Sequence, residues 1–185
     1  PQNLIKIHPE MDTALASVLA GDTDGHLVVF EAKEPNWTRL LFERWRKPFG
    51  KLIDRVLVLP QRSLDGFIAV IAASDVVLDT WPFGAGNTNY QTFAMGVPVV
   101  TLPGRFMRGR QTMGMLRLME LQELIAASGA DYVRIAQRLY QQAREAYDSG
   151  EFQRARRLAS AAEEVINTLE NLAQAVVRIP EPPPL

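Results

Sequence analysis

Residues 75–110 read DVVLDTWPFGAGNTNYQTFAMGVPVVTLPGRFMRGR. Asp75 to Leu78 is a short apolar run of the kind buried in a parallel sheet. A glycine loop, Gly84-Ala85-Gly86, follows it, and Asn87-Thr88 opens a helix that Gly96 and Pro98 stop near Met95. Val97 to Leu102 (VPVVTL) is then another strand, broken by Pro103-Gly104. Strand, helix and strand in this order make a βαβ unit.

The same alternation extends in both directions. Upstream, Arg55 to Leu59 (RVLVL) is a strand ended by Pro60, and Ser63 caps a helix with Phe67, Ile68, Val70 and Ile71 on its apolar face. Before it, His26 to Glu31 (HLVVFE) is a strand. Pro35 starts a helix from Asn36 to Arg46, where Trp37 and Trp45 are expected as core or domain-interface aromatics. Gly21 to Gly25 is a turn cluster, and His8-Pro9-Glu10 opens a helix through Ala20. Leu4 to Ile7 is read as a strand. Downstream, Met107 to Met119 is read as helix and Glu123 to Ala126 as a short last strand. Strands alternating with helices of about 10 to 15 residues call for an α/β fold with a doubly wound parallel, Rossmann-like sheet and helices on both faces. That domain is expected over residues 1–130.

The tail reads differently. Residues 131–178 are helical in pattern, broken once at Asp148-Ser149-Gly150. Tyr140, Ala143, Ala146 and Tyr147 share one side of the first helix, and Phe152, Ala155, Leu158, Ala159 and Ala162 that of the second. This is a C-terminal helical hairpin with tetratricopeptide-like spacing, although one such hairpin cannot bury a repeat core alone. Residues 179–185 are a Pro-rich tail.

Composition narrows the function classes. The chain of 185 residues carries a formal net charge of −1, with 20 Lys and Arg against 21 Asp and Glu. That balance argues against a general nucleic-acid or membrane-surface binder. With no cysteine and only two histidines, disulfides and thiolate metal sites are excluded. No apolar run is long enough for a spanning helix, and Pro1 begins no signal peptide, so a cytoplasmic location and a start inside a longer polypeptide are the expectations.

The glycine loop is where chemistry is expected. Glycines let the backbone approach a ligand closely, and the free N–H groups of a first helical turn, at the positive end of the helix dipole, suit a diphosphate. Ligands of open α/β sheets sit at the carboxyl ends of the strands, where this loop falls. Alone, Gly84 and Gly86 could equally make only a strand-to-helix turn, because the G-x-G-x-x-G pattern is incomplete. Arg105, Arg108 and Arg110 form a basic cluster past the next strand, Trp81 is a candidate cleft wall, and Asp79 is placed to orient the loop rather than to transfer protons.

LIKIHPEMD near the start, DVVLDT, GAGNTNYQTFAMGVPVVTLPG and the FMRGR block together resemble the protein O-linked N-acetylglucosamine transferases and their bacterial relatives. These are two-Rossmann-domain (GT-B) glycosyltransferases, and the likeness spans residues 2–138, most of their carboxyl-terminal catalytic half. The resemblance implies a donor-binding domain for a UDP-sugar, with UDP-N-acetylglucosamine the expected donor and a protein or similar hydroxyl or amide group the acceptor. Lys6 matches a lysine that contacts the diphosphate and is the candidate catalytic residue. Gly84, Ala85, Gly86, Asn87 and Thr88 match the phosphate-holding loop, and Asn3 (or Gln2) an amide near the phosphates. Backbone groups of Pro60, Gln61 and Arg62 match those reading the uracil edge, with Phe67 where the animal enzymes stack a histidine. Gln91 stands where the family usually has a carboxylate bonding the ribose, which implies weaker binding. No cofactor or metal is expected. The second Rossmann-like half is expected on a missing N-terminal region or a partner chain, so the chain alone is expected to be inactive. A non-catalytic interaction module keeping the half-fold is the alternative reading, and another sugar-nucleotide enzyme of similar fold a third.

Overall fold

Residues 3–149 are described by the computed structural model. The chain divides into two compact units, Pro1–Ala143 and Arg144–Leu185. The second helix of the expected hairpin and the Pro-rich tail lie outside the described residues.

The apolar runs become four short parallel strands. β1 (Leu27–Phe30) pairs with β2 (Val56–Leu59) in the register Leu27 with Val56 through Phe30 with Leu59. β3 (Val77–Leu78) pairs with β4 (Val99–Val100). The fold is thus mixed α/β with small parallel sheets, and the two ladders are separate in their hydrogen bonding. Among the described residues, six α-helices connect and flank them: α1 (Asp12–Ala20), α2 (Pro35–Phe49), α3 (Leu64–Ala72), α4 (Asn87–Ala94), α5 (Gln111–Leu118) and α6 (Gly129–Asp148). Among the described residues, no helix is long and apolar enough to cross a membrane.

Local signals set most boundaries. The Ser63 hydroxyl accepts the Gly66 N–H and starts α3, and Pro35 occupies the first turn of α2. Gly96, at φ +70°, lets the chain leave α4 and enter β4 without the steric cost a side chain would bring.

Two expected strands form otherwise. Leu4–Lys6 is a 3-10 turn, not a strand, because Asn3 caps it through its side chain and its own amides close the turn. Among the described residues it has no ladder neighbour to hold it extended. Gln122–Leu124 is likewise a 3-10 turn, after which Ile125 makes a single parallel bridge to Thr101. The run is too short for more than this contact.

The main core lies between the β1–β2 ladder and helices α1, α2 and α6. Met11, Leu15, Leu19, Trp45, Leu116 and Ile135 are its buried centre. Trp45 stacks on Phe49 with ring centroids 4.7 Å apart. Its indole N–H donates to Asp12 at 2.8 Å, and Arg44 grips the same carboxylate through Nε and Nη2 at 2.7 and 2.9 Å. Arg44 also donates to the carbonyl of Ile7 at 2.7 Å. One buried carboxylate therefore joins α1 to α2 and fixes the backbone beside Lys6. In the first turns of α6, Tyr132, Ile135 and Ala136 are the buried residues, whereas Tyr147 is exposed.

Candidate functional site

The glycine loop is built from beneath by Asp79, which directly follows β3 and is only 1% exposed. Its Oδ1 accepts the Ala85 N–H at 2.7 Å, and its Oδ2 accepts the hydroxyls of Thr101 and Thr112 at 2.8 and 2.6 Å. Asn89, buried in the first turn of α4, donates to the Thr112 hydroxyl oxygen at 2.7 Å. From above, Lys6 Nζ donates to the Gly84 carbonyl at 3.1 Å and lies 4.3 Å from the centroid of the Phe83 ring. On the flank, Gly84 N–H donates to the Arg108 carbonyl at 3.0 Å.

Two of the expected loop amides are therefore already engaged, that of Gly84 by Arg108 and that of Ala85 by Asp79. The N–H groups of Gly86, Asn87 and Thr88 come next in the chain, at the start of α4, where an α-helix leaves its amides without internal partners. Gly86 caps this helix without a side chain, so nothing of its own covers those donors. The first amides of α4 and a half-buried ammonium meet at one turn, a combination whose chemistry suits an anion.

The two glycines differ in what they tolerate. A Cβ on Gly84 would lie 2.9 Å from Asp79 Oδ2, a buried carboxylate oxygen held by two hydroxyls. A Cβ on Gly86 would lie 2.9 Å from Gln111 Oε1, the free end of a flexible surface side chain. Gly84→Ala is thus expected to distort the loop and lower the melting temperature, at a cost of about 1–3 kcal/mol. Gly86→Ala is expected to keep the fold while crowding the turn into α4. Thermal melts of the two variants check the contrast.

Burial works on both Lys6 and Asp79. Burial pushes the Lys6 ammonium below the usual lysine range, and the Asp79 charge works against that shift. Burial likewise raises the Asp79 carboxyl, with the hydrogen bonds from Thr112, Ala85, Thr101 and Asn89 pulling it back down.

Three more of the expected residues gather at a second place. Asn3, Gln61 and Arg62 line a groove of about 550 Å³ at the carboxyl ends of β1 and β2, together with Trp37 and Phe67. Phe67 meets Phe30 there, with centroids 5.4 Å apart. Trp37 is 40% exposed, whereas Trp45 is fully buried. The Asn3 Oδ1 accepts the Ile5 N–H at 3.2 Å, so its carbonyl end is used as a cap. The 3-10 turn between Asn3 and Lys6 links groove and loop, with Asn3 at one end and the loop's lysine at the other. Gln91 is half-buried on α4, one turn past Thr88.

Arg105 and Arg108 both lie over the Phe106 ring, at 5.8 and 4.9 Å, rather than over the loop amides. Trp81 is buried and packs edge-on against Tyr132, with centroids 4.7 Å apart. It supports the wall from behind. A separate cavity of about 360 Å³ between β1 and β3, lined by Val28, Val29, Val76 and Leu78 among others, includes none of the expected site residues. Among the described residues, no group of three or more His, Asp or Glu side chains could hold a metal ion.

With this geometry in hand, the chain can be set beside known proteins. No protein-family model matches it. A lysine-to-methionine mutant of the Thermobaculum terrenum O-GlcNAc transferase superposes with a TM-score of 0.70 at 29% identity, covering 87% of this chain. The chain is related to the O-linked N-acetylglucosamine transferases. Among curated relatives, probable UDP-N-acetylglucosamine–peptide N-acetylglucosaminyltransferases named SPINDLY agree with this. That of Eustoma exaltatum subsp. russellianum is 28% identical over 142 residues, or 74% of this chain. That of Oryza sativa subsp. japonica is 28% identical over 141 residues, or 72% of this chain. The match spans 15% of each of these relatives and 30% of the Thermobaculum chain.

Proposed function

We propose that this chain is the donor-binding part of a UDP-sugar-dependent glycosyltransferase that acts on protein. The observation that carries the reading is the turn into α4, where the amides of Gly86, Asn87 and Thr88 follow a loop carbonyl held by Lys6 at 3.1 Å. A diphosphate fits that turn, with Lys6 neutralising part of its charge. The groove lined by Asn3, Gln61, Arg62, Phe67 and Trp37 then takes the uridine, its base against an aromatic face and its edge read by the backbone at Pro60 to Arg62. UDP-N-acetylglucosamine is the donor that the names of the SPINDLY relatives support.

Sugar transfer by displacement at the anomeric carbon releases UDP, whose charge grows as the bond breaks. Fixed amides and an ammonium aimed at that charge stabilise it without reorganising, which is preorganised electrostatic catalysis. On this reading the two ladders belong to one doubly wound GT-B half, and the acceptor is positioned by a second Rossmann-like half, from the same polypeptide or another chain.

A panel of nucleotides in thermal melts tests the reading. A ligand present at about a hundred times its Kd stabilises by about 2.7 kcal/mol. UDP and UDP-N-acetylglucosamine are expected to raise Tm, with GDP and ADP giving less. No shift with any uridine nucleotide would instead favour a non-catalytic interaction module. Gln91 is the observation on that side, because an amide stands where the resembled enzymes carry a carboxylate.

A further inference from the structure

Asp79 lies behind the loop, almost wholly buried, and is the most connected polar side chain of the site. Its two oxygens accept from Ala85, Thr101 and Thr112 at 2.6–2.8 Å. Thr101 follows β4, Thr112 lies in the first turn of α5, and Asn89, which is bonded to Thr112, lies in α4. Its main-chain carbonyl accepts the hydroxyl of the buried Tyr132 in α6 at 2.9 Å. The carboxylate thereby ties the loop to the end of β4 and to α5, Thr112 adds α4, and the Asp79 main chain adds α6. A buried carboxylate is costly unless fully hydrogen-bonded, and an apolar residue would fill the same space more cheaply. A negative charge behind an anion site also opposes the anion, and Lys6, which feels the Asp79 charge, is the compensating cation.

We propose that Asp79 is a positioning residue for diphosphate binding, drawing the Ala85 amide inward so that the amides of Gly86, Asn87 and Thr88 are left facing outward. The peptide plane at Ala85 sets the direction of the chain into α4, and Gly84 is pressed so close to Asp79 that no side chain fits between them. Thr101 and Thr112 fix the carboxylate's rotation, so the loop inherits its shape from β4 and α5 rather than from its own residues. This inference rests on the reading of the loop as a phosphate site.

The test uses Asp79→Asn and Thr112→Val in the full chain, with two readouts. Amide hydrogen exchange across residues 84–88 is expected to speed up by about tenfold in each variant while β1 and β2 keep their protection, as expected for losing one strong hydrogen bond. UDP affinity is expected to fall by about tenfold while uridine affinity is unchanged, since only UDP meets the loop amides. A purely structural role would instead weaken UDP and uridine together, or leave loop exchange at the wild-type rate; either result overturns the proposal. Should wild-type protein bind no UDP, the functional reading fails by itself and loop exchange still decides the role of Asp79. If Asp79→Asn does not fold, Thr112→Val, which keeps the carboxylate and removes one of its donors, carries both measurements.

Discussion

Asp12→Ala is expected to destabilise the fold by about 3 kcal/mol, a fall in Tm of roughly 10 °C for a chain of this size. Asp12 is buried and accepts three hydrogen bonds, from the indole of Trp45 and from two nitrogens of Arg44. Removing it strands the Trp45 N–H in a fully buried place and leaves Arg44 without its counter-charge. The arginine side chain is 34% exposed, so water relieves part of that loss and keeps the estimate at the lower end for a broken buried pair. Asp12→Asn keeps one acceptor oxygen and is expected to cost less. Calorimetric melts of the two variants check the order. Arg44 also holds the Ile7 carbonyl next to Lys6, so Asp12→Ala should loosen the lysine as well as the core.

The largest functional effect is expected from Lys6→Met. A charge-assisted hydrogen bond to phosphate is worth about 1.5–3 kcal/mol, so UDP affinity should fall by roughly ten- to a hundredfold. The melting temperature should change little, because the lysine makes one hydrogen bond to Gly84 and a ring contact. The pH dependence gives a second signature. Burial lowers the Lys6 pKa below its ordinary 10.5, so the ammonium is lost earlier on the alkaline side than in an exposed lysine. Wild-type affinity for UDP is expected to drop as pH rises through that lowered value, and the Lys6→Met profile to stay flat over the same range. Folding stability moves the other way. The unfolded chain holds this proton more tightly than the folded one, so Lys6 makes stability rise with pH between the lowered pKa and 10.5. Calorimetric titrations at several alkaline pH values separate the two effects.

Much of the fold was readable where a single local signal decides the outcome. LVVF and VLVL are unbroken apolar runs, and they pair in register. Ser63 and Gly96 act as cap and stop because a hydroxyl in one and the lack of a side chain in the other suffice. Leu4 to Ile7 misled for a physical reason: its pattern suits a strand, but its amides are satisfied locally by the Asn3 cap and its end is held by Arg44, 37 positions away. Trp37 and Trp45 share a helix, yet a spacing of eight residues rotates one about 80° from the other. One therefore enters the core and the other lines the groove.

The site was legible as a loop and a lysine, and less so as a working arrangement. The glycines and the helix start are adjacent in sequence, so the turn into α4 could be anticipated. That Gly84 and Ala85 spend their N–H groups on Arg108 and Asp79 could not, since those partners are set by packing. The threonines that steady Asp79 lie 22 and 33 residues away from it. Their only trace in the sequence is a polar residue at the end of an apolar strand and another in the first turn of a helix.

A UDP titration followed by backbone amide resonances tests the central claim most directly, because it reports where the diphosphate sits. The largest shifts are expected at Gly86, Asn87 and Thr88, with smaller ones at the groove residues Gln61 and Arg62. Shifts concentrated at the cavity between β1 and β3, or none at the α4 turn with UDP bound, would contradict it.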